Sequence, residues 1–591
     1  MCGIVAASSF QEIQDDVVAA LGRVQYRGYD SFGFAWVSEQ GGLASSRSTE
    51  ADALQETCLP RSRTVLGHTR WATHGEVNLT NCHPHISTTG NFALVHNGIV
   101  TNFDRLLPGG SELRSDSALI VSLLEAALGN SNSRIEALQF VTAQLSGRNT
   151  LAVLFEDGEI LAFRQGSPLV IGRSGEPDKK DTTDKQQGGI YLASDQLAFS
   201  ATCREVCRVA DGEMISIRSG QLTIFSCDLV SRSLVWIPVT EQYQVADKEG
   251  YPHFMLKEVM EQWQTVPAVL KAVDSENFAA AIHLLSQARR IVVVGAGGAY
   301  FTARQIAWLL RNEAGLDAID VPAYEYTSFA SLFSEADLMI AVSQSGETAD
   351  TLQAMELAKH ASLSVLSILN VPGSSMAELS DVTLQQGSGA EVCVLSTKSA
   401  TAQIALGYAL AMALTNKAVE ARQQIQRLSH RLAAEITPEL LGAIKRLAAR
   451  LAEHQSVYIL GRGQYHACAQ IAALNIKEAS YVHAEAFSAG ELKHGVLALI
   501  TTNVPVLVFV AEGDEFMAQV IAEVKARGAW VIGLLADDQC RAVCDEAIML
   551  PDGGSVLGAL VPGQLLAYYT AVALEQNPDR PRNLAKSITV L

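Results

Sequence analysis

No apolar run in this sequence approaches the length needed to cross a bilayer, and the first sixteen residues reach "QEIQDD" without a basic leader segment. Both absences point to a cytoplasmic protein with no membrane partner. Positive charge is also scarce: 44 Lys and Arg stand against 63 Asp and Glu, for a net charge of −19. That balance excludes nucleic acid or an anionic membrane as the main partner, yet leaves room for small anionic substrates, which need only a local pocket. The ten cysteines lack what a zinc site requires: Cys203/Cys207 and Cys540/Cys544 have no histidine or second pair at ligand spacing. No metal is expected, and in a reducing compartment the thiols are expected to be free. A disorder-prone composition is missing too. With 48% hydrophobic and 18% charged residues, the 591-residue chain should fold over most of its length, as three or four domains of about 150 residues each.

What is present changes character along the chain. Up to about residue 240, short strands dominate: "GIVAAS", "FGFAWVS", "TVLGHTR", "FALVHNG", "TLAVLFEDGEILAFRQ", "GIYLASD" and "GEMISIRSGQLTIFS". Helical stretches near 11–25 and 115–145 interrupt them, which predicts an α+β domain of packed sheets over 1–240. The polar segment 172–189 reads as an exposed loop. After a linker over 241–280, near-continuous apolar strands alternate with helices, the pattern of an α/β doubly wound parallel sheet. The series runs twice, over 281–420 and 449–575, each copy opening with a strand and a glycine turn, "VVVGAGGAY" and "VYILGRGQY". An Ala-, Gln- and Leu-rich helical linker, 421–448, joins the copies, and a polar tail, 576–591, follows.

The chemistry begins with Cys2. Once Met1 is removed, one residue carries both a thiol nucleophile and a free α-amine, whose pKa of roughly 7.7–8.0 makes it a base at neutral pH. Four segments are candidates to surround it. "HTRWATHG" supplies Arg70, Trp71, Thr73 and His74; "HNG" supplies Asn97 and Gly98; "RSDS" supplies Asp116; "YRGYDS" supplies Arg27. A glutamine substrate needs an acid for its α-ammonium, a cation for its carboxylate, and donors for the oxyanion formed on thiolate attack. Asp116, Arg70 and the Asn97/Gly98 pair answer those needs in turn. Each has an ordinary alternative: "HNG" as a hairpin turn, Asp116 as a helix cap, Arg70 in a structural ion pair. In the second half, "SQSGET" (343–348) follows a predicted strand and opens a helix, where hydroxyls and N–H groups make a phosphate cradle.

"MCGIV", "YRGYDS", "GHTRWATHGE", "NCHPH" and "HNGI" resemble the N-terminal-nucleophile (Ntn) glutaminase domain of class II glutamine amidotransferases. "SQSGETADT", "NVPGSS", "STK", "KEASYVHAEAFSAGELKHG" and "PRNLAKS" narrow the resemblance to the isomerising glutamine–fructose-6-phosphate aminotransferase family, whose C-terminal half is a pair of sugar isomerase (SIS) domains. The resemblance implies Cys2 as glutaminase nucleophile, Asn97 and Gly98 as oxyanion hole, and Trp71 as gate on an internal ammonia channel. It implies Ser343, Gln344, Ser345 and Thr348 at the sugar phosphate, with Val394 and Ser396 beside the sugar. It implies Glu478 as the base for the C1–C2 proton shift, His494 in ring opening, and Lys586 as the Schiff-base lysine. No cofactor is implied, and the assembly is expected to be a homodimer.

Four positions depart from the family pattern. The first sugar-isomerase turn reads Ala296-Gly297-Gly298-Ala299-Tyr300 where Cys-Gly-Thr-Ser-Tyr is usual, and Asn475 replaces a lysine three residues before Glu478. The expected activity is conversion of a ketose phosphate, by default fructose 6-phosphate, and glutamine into an amino-sugar phosphate and glutamate. Two alternatives follow from the departures: a specialised paralogue acting on a different keto-sugar phosphate, and a sugar-phosphate-binding regulator with residual glutaminase activity.

Overall fold

The computed structural model describes residues 2–72, 76–107, 115–174, 188–199, 202–218, 220–239 and 247–589. It divides into two compact units, Met1–Asp247 with Ala585–Leu591, and Lys248–Leu584.

In the first unit the strands are β1 (Gly3–Ser8), β2 (Ser31–Val37), β3 (Leu43–Ser48), β4 (Thr64–Arg70), β5 (His85–Ile86), β6 (Phe92–Gly98), β7 (Asn149–Phe155), β8 (Ile160–Phe163), β9 (Val170–Arg173), β10 (Ile190–Ala193), β11 (Glu205–Arg208), β12 (Met214–Arg218), β13 (Gln221–Phe225), β14 (Ser231–Arg232) and β15 (Ile237–Pro238). They form two sheets, ordered β15-β11-β9-β10-β1-β4-β2-β3 and β14-β13-β12-β8-β7-β6-β5. Alternation decides the layering. Ile4, Ala6, Leu66, Ala93, Val95, Ala152 and Leu154 share one core between the sheets. The opposite faces are covered: Val5, Phe34 and Val65 pack with Val17 and Leu21 of helix Gln14–Arg23. Phe92, Leu94 and Leu151 pack with Ile120, Leu124, Leu138 and Val141 of helices Asp116–Leu128 and Arg134–Thr142. The result is the expected α+β sandwich. The single helical stretch expected near 115–145 is two helices, because Ser133 caps a new start, its hydroxyl accepting from Glu136 N. Most of the polar loop 172–189 lies outside the described residues.

The second unit holds two five-stranded parallel sheets. The first comprises β16 (Ile291–Gly295), β17 (Ala318–Pro322), β18 (Leu338–Val342), β19 (Ser364–Leu369) and β20 (Val382–Gln385), in the order β17-β16-β18-β19-β20. The second comprises β21 (Ser456–Gly461), β22 (His483–Ser488), β23 (Pro505–Val510), β24 (Trp530–Leu535) and β25 (Glu546–Met549), in the order β22-β21-β23-β24-β25. The identical order is a duplication that local sequence barely displays. In each sheet the strand order reverses between its first and third strands, the point where doubly wound sheets bind ligands. Residues 254–287 are largely helical and belong to this unit, and helices Ala418–Glu435 and Pro438–Leu451 occupy the stretch between the copies. Among the described residues, no helix is long and apolar enough to cross a membrane.

Candidate active sites

Period-two alternation puts Cys2, Ile4 and Ala6 on the inter-sheet side, along with Leu66, His68 and Arg70 on β4 and Val95 and Asn97 on β6. The Cys2 sulfur lies against the loop leaving β4: Trp71 N donates to Sγ at 3.4 Å, and Sγ–H reaches Trp71 O at 3.6 Å. That loop approaches closely because position 28 is glycine; a Cβ there would stand 2.6 Å from Trp71 N and 2.7 Å from the Arg70 carbonyl carbon. Asp30 Oδ2 then accepts from Ala72 N at 2.7 Å, fixing the loop from the other side.

Asn97 is buried and donates from Nδ2 to the Cys2 carbonyl at 2.8 Å. "HNG" is therefore not a hairpin turn. It ends a strand, with Asn97 opposite Thr150 and Gly98 opposite Asn149. Gly98 has φ +155°, and a Cβ on it would come within 1.9 Å of Arg148 O, so only glycine fits. Asp116 is the first residue of its helix, not the cap, which is Ser115. Its carboxylate accepts from Ser117 N at 2.8 Å and from Val100 N at 3.3 Å, just beyond the Asn97–Gly98 pair. Arg70 Nη1 donates to Glu76 O at 3.3 Å. The structure thus gathers Cys2, Trp71 and Asn97 by direct bonds. Asp116 Oδ2 lies 3.3 Å from Val100 N and 3.9 Å from His96 Nδ1, and Thr73 and His74 lie outside the described residues. Arg27 is buried, its Nη1 in an ion pair with Asp195 at 2.8 Å.

Sequence reading missed a buried histidine cluster behind these groups. The His68 and His83 rings lie 4.2 Å apart and those of His83 and His85 4.7 Å. Ser117 Oγ bridges His83 Nε2 (3.0 Å) and His96 Nδ1 (3.1 Å), and His96 Nε2 meets Asn149 Oδ1 at 3.0 Å. Burial pushes all four towards the neutral form, His68 down to about 3 and His85 to about 4. Among the described residues, no group of His, Cys, Asp and Glu side chains is arranged to hold a metal ion. The signal available in sequence was the density of histidines in "GHTRWATHGE" and "NCHPH".

In the second unit, "SQSGET" joins the C-terminal end of β18 to helix Ala349–His360. Ser343 Oγ accepts from Gly346 N at 3.0 Å and lies 3.4 Å from Thr348 Oγ1, while Ser345 Oγ accepts from Glu347 N at 3.1 Å. Glu347 turns away to Ser375, bonding its N–H at 2.9 Å and its hydroxyl at 2.8 Å. Gln344 is half-buried beside them. The "GAGGAY" turn ends the neighbouring strand β16 and opens helix Gly298–Asn312, so both turns stand at the reversal point of the first sheet.

Val394 and Ser396 lie on a strip that two buried carboxylates fasten. Glu258 accepts from Val392 N (2.6 Å), Cys393 N (3.1 Å) and Thr397 Oγ1 (2.8 Å); Glu391 accepts from Thr397 N (3.0 Å), Ser399 N (2.9 Å) and Ser399 Oγ (2.8 Å). Glu258 had no signal in sequence, since it lies more than a hundred residues from its partners. A Cβ on Gly298 would fall 2.9 Å from Ser396 Cβ and 3.9 Å from Leu474 Cδ2. Leu474 belongs to helix His466–Ser480, which carries Asn475 and the half-buried Glu478. The first copy's turn, the 391–399 strip and the helix of the second copy therefore converge. His494 ends an exposed turn, Glu491–His494. Lys586 belongs to the segment Ala585–Leu591, which is grouped with the unit of residues 1–247.

Residues 29–232 match the class-II glutamine amidotransferases, and residues 284–413 and 450–572 each match the SIS domain. Over the full length of both chains, the sequence is 36% identical to the glutamine–fructose-6-phosphate aminotransferase (isomerising) of Pyrococcus horikoshii. It is 35% identical to that of Thermococcus kodakarensis and 34% to that of Legionella pneumophila, again over both full lengths. The chain belongs to the isomerising glutamine–fructose-6-phosphate aminotransferase family. Its second half is also similar to the solved C-terminal domain of glucosamine-fructose-6-phosphate aminotransferase from Francisella tularensis, at TM-score 0.52 and 28% identity, covering 56% of this chain and 100% of that one. For this family member, Gly298, Ala299 and Asn475 lie at or beside the convergence just described. Asn475 is fully buried, and its Oδ1 has no hydrogen-bond partner among the described residues.

Proposed function

We propose that this protein transfers the amide nitrogen of glutamine to a ketose phosphate, by default fructose 6-phosphate, giving glucosamine 6-phosphate and glutamate. The observation that carries the reading is the Cys2–Trp71–Asn97 constellation in a chain that aligns end to end with such aminotransferases. With Met1 removed, the Cys2 α-amine accepts the thiol proton and the thiolate attacks the glutamine δ-carbonyl. Asn97 Nδ2 and the Gly98 N–H stabilise the oxyanion, ammonia leaves, and water hydrolyses the γ-glutamyl thioester to glutamate. Arg70 and Asp116 hold the amino-acid end, with Thr73 and His74, and Trp71 gates the passage of ammonia.

In the sugar half, Ser343, Gln344, Ser345 and Thr348 hold the phosphate, with Val394 and Ser396 along the sugar. His494 opens the ring, and Lys586 forms a Schiff base with the open chain. Ammonia displaces Lys586 to give the C2 imine, and Glu478 moves the proton from C1 to C2. The water released in imine formation balances the water used on the thioester. The glutaminase domain occupies 1–240 and the SIS domains 281–420 and 449–575. We further propose a cytoplasmic homodimer, supported by the exposed position of His494, which a second copy would cover; light scattering of the purified chain tests it.

One observation favours a second reading, a paralogue acting on another keto-sugar phosphate. Gly298 and Ala299 bring no hydroxyl to the phosphate turn, and the Ser396 Cβ fills the space that a side chain at 298 would use. Incubating the Met1-processed protein with glutamine and fructose 6-phosphate decides between them. Hexosamine phosphate and glutamate in equal amounts establish the default reaction; glutamate alone, with amino-sugar formed from a different ketose phosphate, establishes the second.

A further inference from the structure

Asn97 has two faces, and the structure shows what each one meets. Its nitrogen donates to the Cys2 carbonyl, an atom that only accepts, so the opposite edge of the amide must be oxygen. That oxygen lies 3.2 Å from His68 Nε2, which is also 3.3 Å from the His96 carbonyl. Both neighbours of Nε2 are acceptors, so Nε2 carries the proton. His68 is fully buried on β4, facing β6 across the core, and its Nδ1 has no partner among the described residues. Burial keeps the ring neutral. The ring is held by His83 at 4.2 Å, so it bridges the two sheets in one orientation.

An oxyanion donor works only if its N–H stays aimed without reorganising. An asparagine amide can rotate by half a turn and present its oxygen instead, which would repel the developing charge. We propose that His68 is a positioning residue: its Nε2–H anchors Asn97 Oδ1 and thereby keeps Asn97 Nδ2, rather than the amide oxygen, on the Cys2 side. This rests on the reading of Asn97 as an oxyanion donor.

The test uses the full-length, Met1-processed protein. Glutamine places an amide nitrogen near the Nε2 position of histidine, whereas asparagine places one near Nδ1. His68→Asn is expected to lower kcat for glutamine hydrolysis by about 10–100-fold, part of the 100–1,000-fold that loss of an oxyanion donor costs. KM stays within about twofold, and His68→Gln restores most of kcat. Alkylation of Cys2 by iodoacetamide, read at the Cys2 peptide by mass, forms no oxyanion and keeps its rate in the His68 variants. Asn97→Ala lowers kcat more strongly, and adding His68→Asn to it lowers kcat no further. If His68→Asn does not fold, His68→Leu takes its place in the same comparisons.

A full kcat in His68→Asn beside a low one in Asn97→Ala overturns the role of His68. So does an additive loss in the double variant, or a fall in Cys2 alkylation that follows kcat, each the mark of a structural role. An unchanged kcat in Asn97→Ala removes the oxyanion reading itself, and the inference with it.

Discussion

In the N-terminal unit the nucleophile and oxyanion candidates sit on or directly beside paired strands; in the C-terminal unit the phosphate-binding candidates sit in turns beyond the strand ends. Cys2 precedes β1, and Asn97 and Gly98 close β6, so backbone ladders and buried hydrogen bonds fix them directly. Ser343–Thr348 and the Gly298 turn instead occupy loops at the reversal point of a parallel sheet, and Glu478 stands late on a helix from the other copy. A site built into strands tolerates little change, because each side chain is also part of a core. A site built from loops is revised without disturbing the sheet beneath it. The departures Gly298 and Ala299 fall in the second kind of site, and Asn475 is buried on the second copy's helix His466–Ser480.

The most severe break in the comparison is a pair of variants. Cys2→Ala should abolish glutamine-dependent synthesis and hydrolysis while leaving ammonia-dependent synthesis. Lys586→Arg should do the reverse, releasing glutamate from glutamine with no amino-sugar. Parallel assays for glutamate and hexosamine phosphate check both; residual glutamine hydrolysis in Cys2→Ala would remove the nucleophile assignment.

Rigidity of the strand-built site predicts the next effect. Gly98→Ala should destabilise the protein by about 2–4 kcal/mol, through the clash with Arg148 O and the positive φ. Gly297→Ala, also at positive φ but in open space, should cost about 1 kcal/mol. Equal losses in urea unfolding would erase the contrast.

Acid sensitivity should differ as well. His68 and His85 have folded pKa values of about 3 and about 4, below the ordinary 6.5 of an unfolded chain. Below pH 6.5 the unfolded chain takes up protons that the native state refuses. The stability they confer is therefore complete above about pH 6.5 and drains away as pH falls towards 4, by about 1.4 kcal/mol per pH unit for each ring. Hydrogen exchange at pH 7.5 and 5.5 should show the N-terminal unit losing protection more steeply, and His85→Gln should flatten that slope. A C-terminal unit that weakens first would refute this.

The smallest effect sharpens the comparison most. Ala299→Ser adds back one hydroxyl in the loop-built site and should lower KM for fructose 6-phosphate about three- to tenfold, with kcat unchanged. An unchanged KM would mean that other groups already hold the phosphate.

Several of these features were readable in the residues alone. "FALVHNG" alternates apolar residues so that Ala93, Val95 and Asn97 share a face, and the structure makes it β6 without shifting an end. "SQSGET" lies between a strand and a helix as its hydroxyls suggested. Turn chemistry misled at "HNG", where a good hairpin dipeptide completes a ladder, because long-range pairing with Thr150 and Asn149 outweighs a local preference. The carboxylate of Glu258 and the bond from His68 to Asn97 had no pattern to betray them.

Sequence by itself determined the strands, the doubled α/β series and the family, and it singled out Cys2 as the candidate nucleophile, because periodicity, turn residues and contiguous motifs are local properties of the chain. Tertiary structure alone decided that β4 and β6 face each other across one core, that a second-copy helix meets the first-copy turn, and which way the Asn97 amide points. Those depend on contacts between residues far apart in sequence, whose geometry is fixed only when the sheets pack.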